Sequence, residues 1–68
     1  PLMVGSRKFY YVVEIADKYG VDRTQVGNLI RAGLFRGVLT ISPSKRARTF
    51  AYLVPAAEVY RVFRERYA

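Results

Sequence analysis

The chain lacks cysteine, histidine and tryptophan, and only five of its 68 residues are acidic. Without Cys or His, the usual ligands of zinc, haem and iron–sulfur clusters are missing. The Ser-His and Cys-His pairs of nucleophilic enzymes are missing for the same reason. The few acidic residues are scattered, which does not indicate a carboxylate site. We therefore expect no catalytic residue, no metal and no cofactor, and predict that the protein is not an enzyme.

Long apolar runs are also missing. No stretch approaches the ~20 apolar residues that a membrane-spanning helix requires. The first five residues are too few for the apolar segment of a signal peptide. The lack of cysteine is compatible with a reducing compartment. We expect a cytoplasmic protein with no membrane partner.

The length allows one small domain that buries roughly 60% of the surface of its extended chain. Hydrophobic residues make up 51% of the sequence and aromatic residues 15%, which is enough for a folded core. Because the sequence opens at Pro1 and not at Met, we expect that the chain has been cut. Residues 1–9 are accordingly interpreted as an N-terminal arm or expression remnant, and residues 10–68 as the domain.

The chain is strongly basic, with twelve Lys and Arg residues and a net charge of +7. The excess is uneven along the sequence. Residues 35–54 contain four basic residues and no acidic one, whereas acidic residues occur both before and after this segment. A pI near 10.3 makes a polyanion the first partner to consider.

Hydrophobic spacing predicts two short helices joined by a tight turn. Apolar residues recur at helical spacing over Val12–Tyr19, and Gly20 suits the C-cap of this helix. A second helix is predicted over Asp22–Ala32. Its first residue and Gln25 fit a capping box, and Gly33 is expected to end it.

The second half of the chain predicts a β-hairpin and a final helix. Two β-prone runs, Val38–Ile41 and Thr49–Val54, form a hairpin within Phe35–Val54. The segment that connects them, Ser42–Arg48, has Pro and Ser for a turn and a basic tip. Pro55–Tyr67 then has helical apolar spacing, with proline in the first turn.

Aromatic residues are assigned mostly to the core, because they fall on the predicted apolar faces: Tyr19, Phe50, Tyr60 and Phe63. Three further aromatic residues, Phe9, Tyr10 and Tyr11, are contiguous, so at least one of them is expected to be exposed. These three could form an N-terminal strand beside the hairpin or a contact surface.

The two predicted helices have the spacing of a helix-turn-helix. The positions that carry this pattern are Ile15, Ala16, Tyr19, Gly20, Val21, Val26 and Leu29. A small residue at Ala16 allows a close helix crossing, and Gly20 adopts positive φ easily. The apolar residues of the second helix hold it on the first, which leaves its other face free to enter a major groove.

The order of elements resembles the excisionase-like and MerR-like winged helix domains over residues 10–67. The residues that carry the resemblance are Tyr10–Ala16, Tyr19–Val21, Thr24–Val26, Leu29–Leu34 and Tyr52–Pro55. The resemblance implies a small α+β winged helix-turn-helix: a two-helix unit, a β-hairpin wing and a C-terminal helix. The chain departs from the family where Gly27-Asn28-Leu29 replaces a more basic stretch, and where Tyr11 replaces a Ser or Thr cap.

Carried onto this chain, the resemblance implies two groups of DNA-binding residues. The recognition helix would contribute Arg23, Thr24, Gln25, Asn28 and Arg31. The wing would contribute Arg36, Lys45, Arg46 and Arg48. Helical spacing supports part of the first group, since Thr24, Asn28 and Arg31 lie at i, i+4 and i+7, away from the apolar stripe.

The function predicted from the sequence is sequence-specific binding of duplex DNA. An excisionase-type architectural factor, which bends DNA in site-specific recombination, is preferred because the chain shows one short domain. The alternatives are a small MerR-like transcriptional regulator or DNA-binding domain of a longer protein, an RNA or single-strand binder that uses tyrosine stacking, and a protein-interaction module. The expected partners are double-stranded DNA with a recombinase or further copies of the chain side by side, on the nucleoid.

Overall fold

The computed structural model describes residues 1–41 and 51–67, with the side chains of residues 66 and 67 left aside. The elements in this part of the chain are β1 (Leu2–Val4), β2 (Arg7–Tyr11), α1 (Val12–Tyr19), α2 (Arg23–Arg31), β3 (Leu39–Ile41), β4 (Ala51–Pro55) and α3 (Ala56–Tyr67). The strands form one antiparallel sheet in the order β1-β2-β4-β3. The fold is therefore α+β. Among the described residues, no helix is long and apolar enough to cross a membrane.

Helix α1 has the bounds that the sequence predicts. It ends because Gly20 adopts a left-handed conformation with φ of 64°, from which its N–H bonds to the Ala16 carbonyl. At the start, the Glu14 carboxylate accepts a hydrogen bond of 2.9 Å from the Tyr11 backbone N–H. This bond supplies a partner that the helix itself cannot offer, and it explains why Tyr11 is tolerated as the N-cap residue.

Helix α2 follows α1 after a three-residue turn and packs against it. Its N-cap is Asp22 and its C-cap is Ala32, followed by Gly33 with φ of 77°. The bounds agree with the predicted helix, but the capping box does not form. The Asp22 side chain makes no cap hydrogen bond, and Asp22 acts as N-cap only through its extended backbone.

The N-terminal residues are part of the sheet. Strands β1 and β2 form a hairpin with Val4 opposite Arg7, and Gly5 adopts φ of 62° in the two-residue turn. Strand β2 then pairs with β4, so the boundary expected after Phe9 falls inside a strand. The N-terminal strand was one of the two options predicted for the aromatic run. The expected exposure there was wrong, since Phe9 and Tyr10 are buried and Tyr11 is half-buried.

The predicted hairpin is present as the antiparallel pair β3 and β4, with Leu39 opposite Leu53. Its connecting segment, residues 42–50, lies outside the described residues, and so does the prediction for Phe50. Pro55 ends β4 and α3 begins at Ala56, so Pro55 precedes the helix and is not part of its first turn.

The core lies between the three helices and one face of the sheet. Tyr10 belongs to it, together with four fully buried residues: Ile15, Val26, Val54 and Val59. Side chains alternate along a strand, which places Phe9 and Leu53 on the opposite face. Both are nevertheless buried, at 3% and 1% exposure.

Phe63 is the aromatic centre of this core. Its ring stacks on Tyr19 at a centroid distance of 4.1 Å and lies 6.4 Å from the ring of Phe35. The core assignment is confirmed for Phe63, and Tyr19 is half-buried against the core. It was wrong for Tyr60, which is 43% exposed because it lies on the flank of α3.

A set of hydrogen bonds centred on Glu58 and Arg61, called here the polar clasp, joins α3 to the segment that follows α2. The Glu58 carboxylate accepts hydrogen bonds from the Arg61 guanidinium at 2.8 Å and from the Arg36 backbone N–H at 2.7 Å. Arg61 also donates to the Leu34 carbonyl at 2.9 Å. Arg61 also forms an ion pair with Glu65, four residues later on α3, at the longer distance of 3.8 Å. The clasp fixes the backbone at Arg36.

This clasp predicts a loss of stability in acid. The Arg61 guanidinium and the Arg36 N–H lower the pKa of Glu58 from 4.5 to about 2. The stabilisation is complete above the unfolded pKa and is lost as the pH falls through the folded one. Between pH 4.5 and 2 the free energy of unfolding should therefore fall by about 2 kcal/mol more in the parent protein than in Glu58→Gln. Urea unfolding across this range measures the difference.

The comparison with Glu58→Gln separates the contribution of Glu58 to acid sensitivity from that of a second carboxylate, Glu14. The pKa of Glu14 is also lowered, by the Pro1 amino group and by the Tyr11 N–H. Glu14 is present in both proteins, so its contribution cancels in the difference. Equal acid sensitivity of the two proteins would show that the clasp does not stabilise the fold.

Candidate nucleic-acid interface

Helix α2 presents a polar face to solvent. Val26 is the residue that anchors it in the core, with Leu29 and Ile30 packed partly against the same cluster. The residues predicted from sequence for DNA recognition are all exposed: Arg23, Thr24, Gln25, Asn28 and Arg31. None of them is needed to fill the core, so this face is available to a partner.

A groove joins α2 to the hairpin. It has a volume of about 340 Å³ and is open to solvent. Arg23 and Gly27 line it from α2, while Ala51 and Tyr52 line it from the start of β4. Its remaining walls come from the start of α1, with Tyr11, Val12 and Val13. One flank of α2 and the first residues of β4 therefore face the same open space.

Gly27 has no side chain, so α2 projects little into the groove at this position. Among the described residues, the atoms nearest to a Cβ at Gly27 would be those of the Arg31 guanidinium, at 3.4 to 3.8 Å. The guanidinium bends back along the helix, where it donates a hydrogen bond of 2.7 Å to the Asn28 side-chain oxygen. A lack of packing space does not explain this glycine, because the nearest described neighbour is the tip of a flexible side chain.

Replacing Gly27 tests what the glycine is for. We expect Gly27→Ala to raise the free energy of unfolding by about 0.5–1 kcal/mol, since alanine is favoured over glycine inside a helix and the Arg31 tip can move. If a nucleic-acid backbone approaches this flank closely, the same variant should bind duplex DNA more weakly. Thermal melts and a binding titration measure the two effects. A variant that is more stable than the parent protein and binds duplex DNA as tightly would show that no DNA backbone approaches Gly27.

Arg36 is exposed at the base of the hairpin, and the Glu58 clasp holds its backbone. The three other predicted wing residues, Lys45, Arg46 and Arg48, lie outside the described residues. Ile41 and Ala51, the described residues on either side of residues 42–50, face each other in the β3–β4 pair. Ala51 also lines the groove described above.

Sequence reasoning missed two features. The groove brings together Tyr11 and Tyr52, which are 41 residues apart and belong to neighbouring strands, so no local spacing could have indicated it. On another side of the molecule, the Tyr10 and Tyr60 hydroxyls share a hydrogen bond of 2.8 Å. The sequence did not indicate this pair, because Tyr60 has the helical spacing of a core residue.

Comparison with known proteins gives no relative: no protein-family model, curated protein or solved structure matches the chain. The resemblance to excisionase-like and MerR-like winged helix domains therefore stays a prediction.

Proposed function

We propose that the protein binds duplex DNA as a winged helix-turn-helix. In this proposal α2 enters the major groove with its exposed polar face, and the basic hairpin contacts the flanking backbone. The binding itself involves no catalysis, cofactor or metal. The protein would act on DNA in the cytoplasm, on the nucleoid.

The groove between α2 and β4 is the observation that carries this proposal. A winged helix requires the recognition helix and the wing to approach one duplex together. Arg23 and Gly27 share their groove with the residues that begin β4, so helix and hairpin border a common open face. A buried α2, or a hairpin on the far side of the molecule, would have excluded the proposal.

The side chains on α2 suit the two kinds of contact that such a helix makes. Asn28 or Gln25 can pair with adenine through two hydrogen bonds, and an arginine can do so with guanine. Asn28 and Arg31 already bond to each other, which orders both side chains before binding. Arg23 and Thr24 are in the first turn, where free N–H groups favour phosphate contacts.

Within this proposal, an excisionase-type architectural role is preferred to a MerR-like regulator. The described residues form one small α+β unit whose last helix is closed against its own core through Val59 and Phe63. A helix used in this way is not free to extend a dimerising coiled coil from the same apolar face. The recombinase and the side-by-side copies expected as partners belong to this role.

A competition experiment tests the proposal. Labelled duplex DNA is bound at physiological salt and challenged with unlabelled duplex, single-stranded DNA and structured RNA. We expect duplex to compete best, and the logarithm of the binding constant to fall against log salt with a slope of about −4 to −5, as for four to six phosphate contacts. Preference for single strands would favour the RNA or single-strand alternative, and no binding to any nucleic acid would favour a protein-interaction module.

Selection from a random duplex library at the same salt then tests specificity. An enriched motif with a fixed spacing between half-sites would indicate how many copies bind side by side. A library that shows no enrichment would contradict sequence-specific recognition while leaving duplex binding itself in place.

A further inference from the structure

A second cationic and aromatic surface lies on the opposite side of α1 from α2. Its centre is the hydrogen-bonded pair of Tyr10 and Tyr60, whose rings meet edge to face at 6.2 Å. The Lys8 ammonium lies 5.1 Å from the ring centre of Tyr10, and the Lys18 ammonium lies 6.0 Å from that of Tyr60. We call this surface, made of Lys8, Tyr10, Lys18 and Tyr60, the tyrosine–lysine patch.

Helix geometry places the patch away from α2. Val13 faces the groove beside α2, whereas Lys18 belongs to the patch. The two residues are five positions apart on α1, so they project about 140° apart around the helix axis. A duplex held along the exposed face of α2 therefore meets a different side of the molecule from the patch.

The chemistry of the patch suits a phosphate group. Two phenolic hydroxyls share one hydrogen bond, so one of their two protons remains to be donated to another acceptor. The two ammonium groups flank this donor and supply charge. The Tyr10 hydroxyl beside Lys8 raises the pKa of Lys8 above its usual value, and Lys8 is charged at neutral pH. On α3, Arg64 is four residues after Tyr60 and exposed, which adds a third cation on that flank.

The acidic groups near the patch do not neutralise its positive charge. Glu14 is the acid close enough to act on Lys8, and its carboxylate is engaged with the Tyr11 N–H and the Pro1 amino group. Asp17 is exposed beside Lys18 on α1. Glu58 and Glu65 contact Arg61, on the other flank of α3. Lys8, Lys18 and Arg64 thus supply three cations on this side of the molecule, against the engaged Glu14 and the exposed Asp17.

We propose that the tyrosine–lysine patch binds the phosphate backbone of a second DNA duplex, so that one copy of the protein bridges two duplex segments. This inference rests on the proposed function, since α2 must hold the first duplex. It gives an architectural role a physical basis, because a protein with DNA-binding surfaces on two sides brings separate segments together.

A sandwich assay tests the bridge. A biotinylated duplex on beads is loaded with the full chain and washed, and the beads are then offered a fluorescent duplex. We expect Lys8→Gln/Lys18→Gln to lower capture of the second duplex at least tenfold and to change binding of a single duplex less than twofold. Lys8→Arg/Lys18→Arg should retain capture. Inorganic phosphate at millimolar concentration should compete only weakly, because the duplex offers many phosphates to one surface.

Arg7→Gln is the matched control for Lys8→Gln. Arg7 and Lys8 are neighbours in β2 with the same charge, but their side chains project from opposite faces of the sheet, and Arg7 lies over Phe9. Capture should fall in Lys8→Gln and stay unchanged in Arg7→Gln. An equal loss of capture in Lys8→Gln and Arg7→Gln would overturn the bridge. Unchanged capture in Lys8→Gln/Lys18→Gln would do the same. So would a loss of single-duplex binding in that double variant as large as its loss of capture. Failure of the parent protein to bind any single duplex would instead overturn the proposed function.

Discussion

Reversing the charge of two arginines on α2 should abolish specific binding of duplex DNA. In Arg23→Glu/Arg31→Glu we expect the affinity for duplex at physiological salt to fall at least a hundredfold, since each arginine contact contributes about 1–3 kcal/mol and the reversed charge repels phosphate. Both side chains are exposed and outside the core, so the fold should persist. Fluorescence anisotropy with a labelled duplex measures the loss, and circular dichroism checks the helices.

The second half of this experiment separates helix from wing. Asn28→Ala should relax preference at particular base pairs, whereas reversing Lys45, Arg46 and Arg48 together should weaken binding across all sequences. Arg7→Glu, on β2, is a control at an exposed arginine outside both proposed DNA-binding surfaces, and it should change single-duplex affinity little. Binding that survives reversal on α2 as well as it survives Arg7→Glu would remove the recognition-helix assignment.

Truncating Phe63 should have the largest effect on stability. Phe63 is 3% exposed and contacts aromatic rings from α1 and from the segment after α2. Phe63→Ala should cost about 3–5 kcal/mol through lost burial and the cavity left behind. A 68-residue domain has about 3–10 kcal/mol in total. The variant should therefore be largely unfolded at 37 °C, as measured by thermal melting.

Tyr60→Ala is the control on the same helix. It removes an aromatic ring of similar size from an exposed position, together with one hydrogen bond. We expect a cost of about 1 kcal/mol, because little buried surface is lost. If the two substitutions cost the same, the stacked ring cluster would not be the centre of the core.

The elements that the sequence predicts well are those with strong local signals. Apolar residues at helical spacing, and a glycine after each helix, predict α1 and α2 to within a residue of the observed bounds. Two β-prone runs around a Pro-Ser turn predict the β3–β4 pair. The same periodicity supports the exposed positions of Thr24, Asn28 and Arg31, whereas Arg23 and Gln25 were assigned through the resemblance alone. All five side chains are exposed, and their contact with DNA stays a prediction.

The errors occur where long-range contacts override local pattern. The domain boundary expected after Phe9 was wrong because β2 pairs with β4, which lies 44 residues later in the chain for Tyr10 and Val54. Phe9 and Tyr10 are then buried on opposite faces of the sheet. Arg61 forms the ion pair with Glu65 that helical spacing allows, but it lies closer to Glu58, whose second partner, the Arg36 N–H, comes from a distant part of the chain.

The sequence by itself determines the helices, the basic hairpin and the positive charge, because spacing, turn residues and composition act locally along the chain. Only the tertiary structure decides that α2 and β4 border one groove and that Lys8, Tyr10, Lys18 and Tyr60 converge behind α1. Both arrangements depend on strand pairing and on the packing of α3. These interactions join residues up to 50 positions apart, as between the Tyr10 and Tyr60 hydroxyls, and no local sequence pattern predicts them.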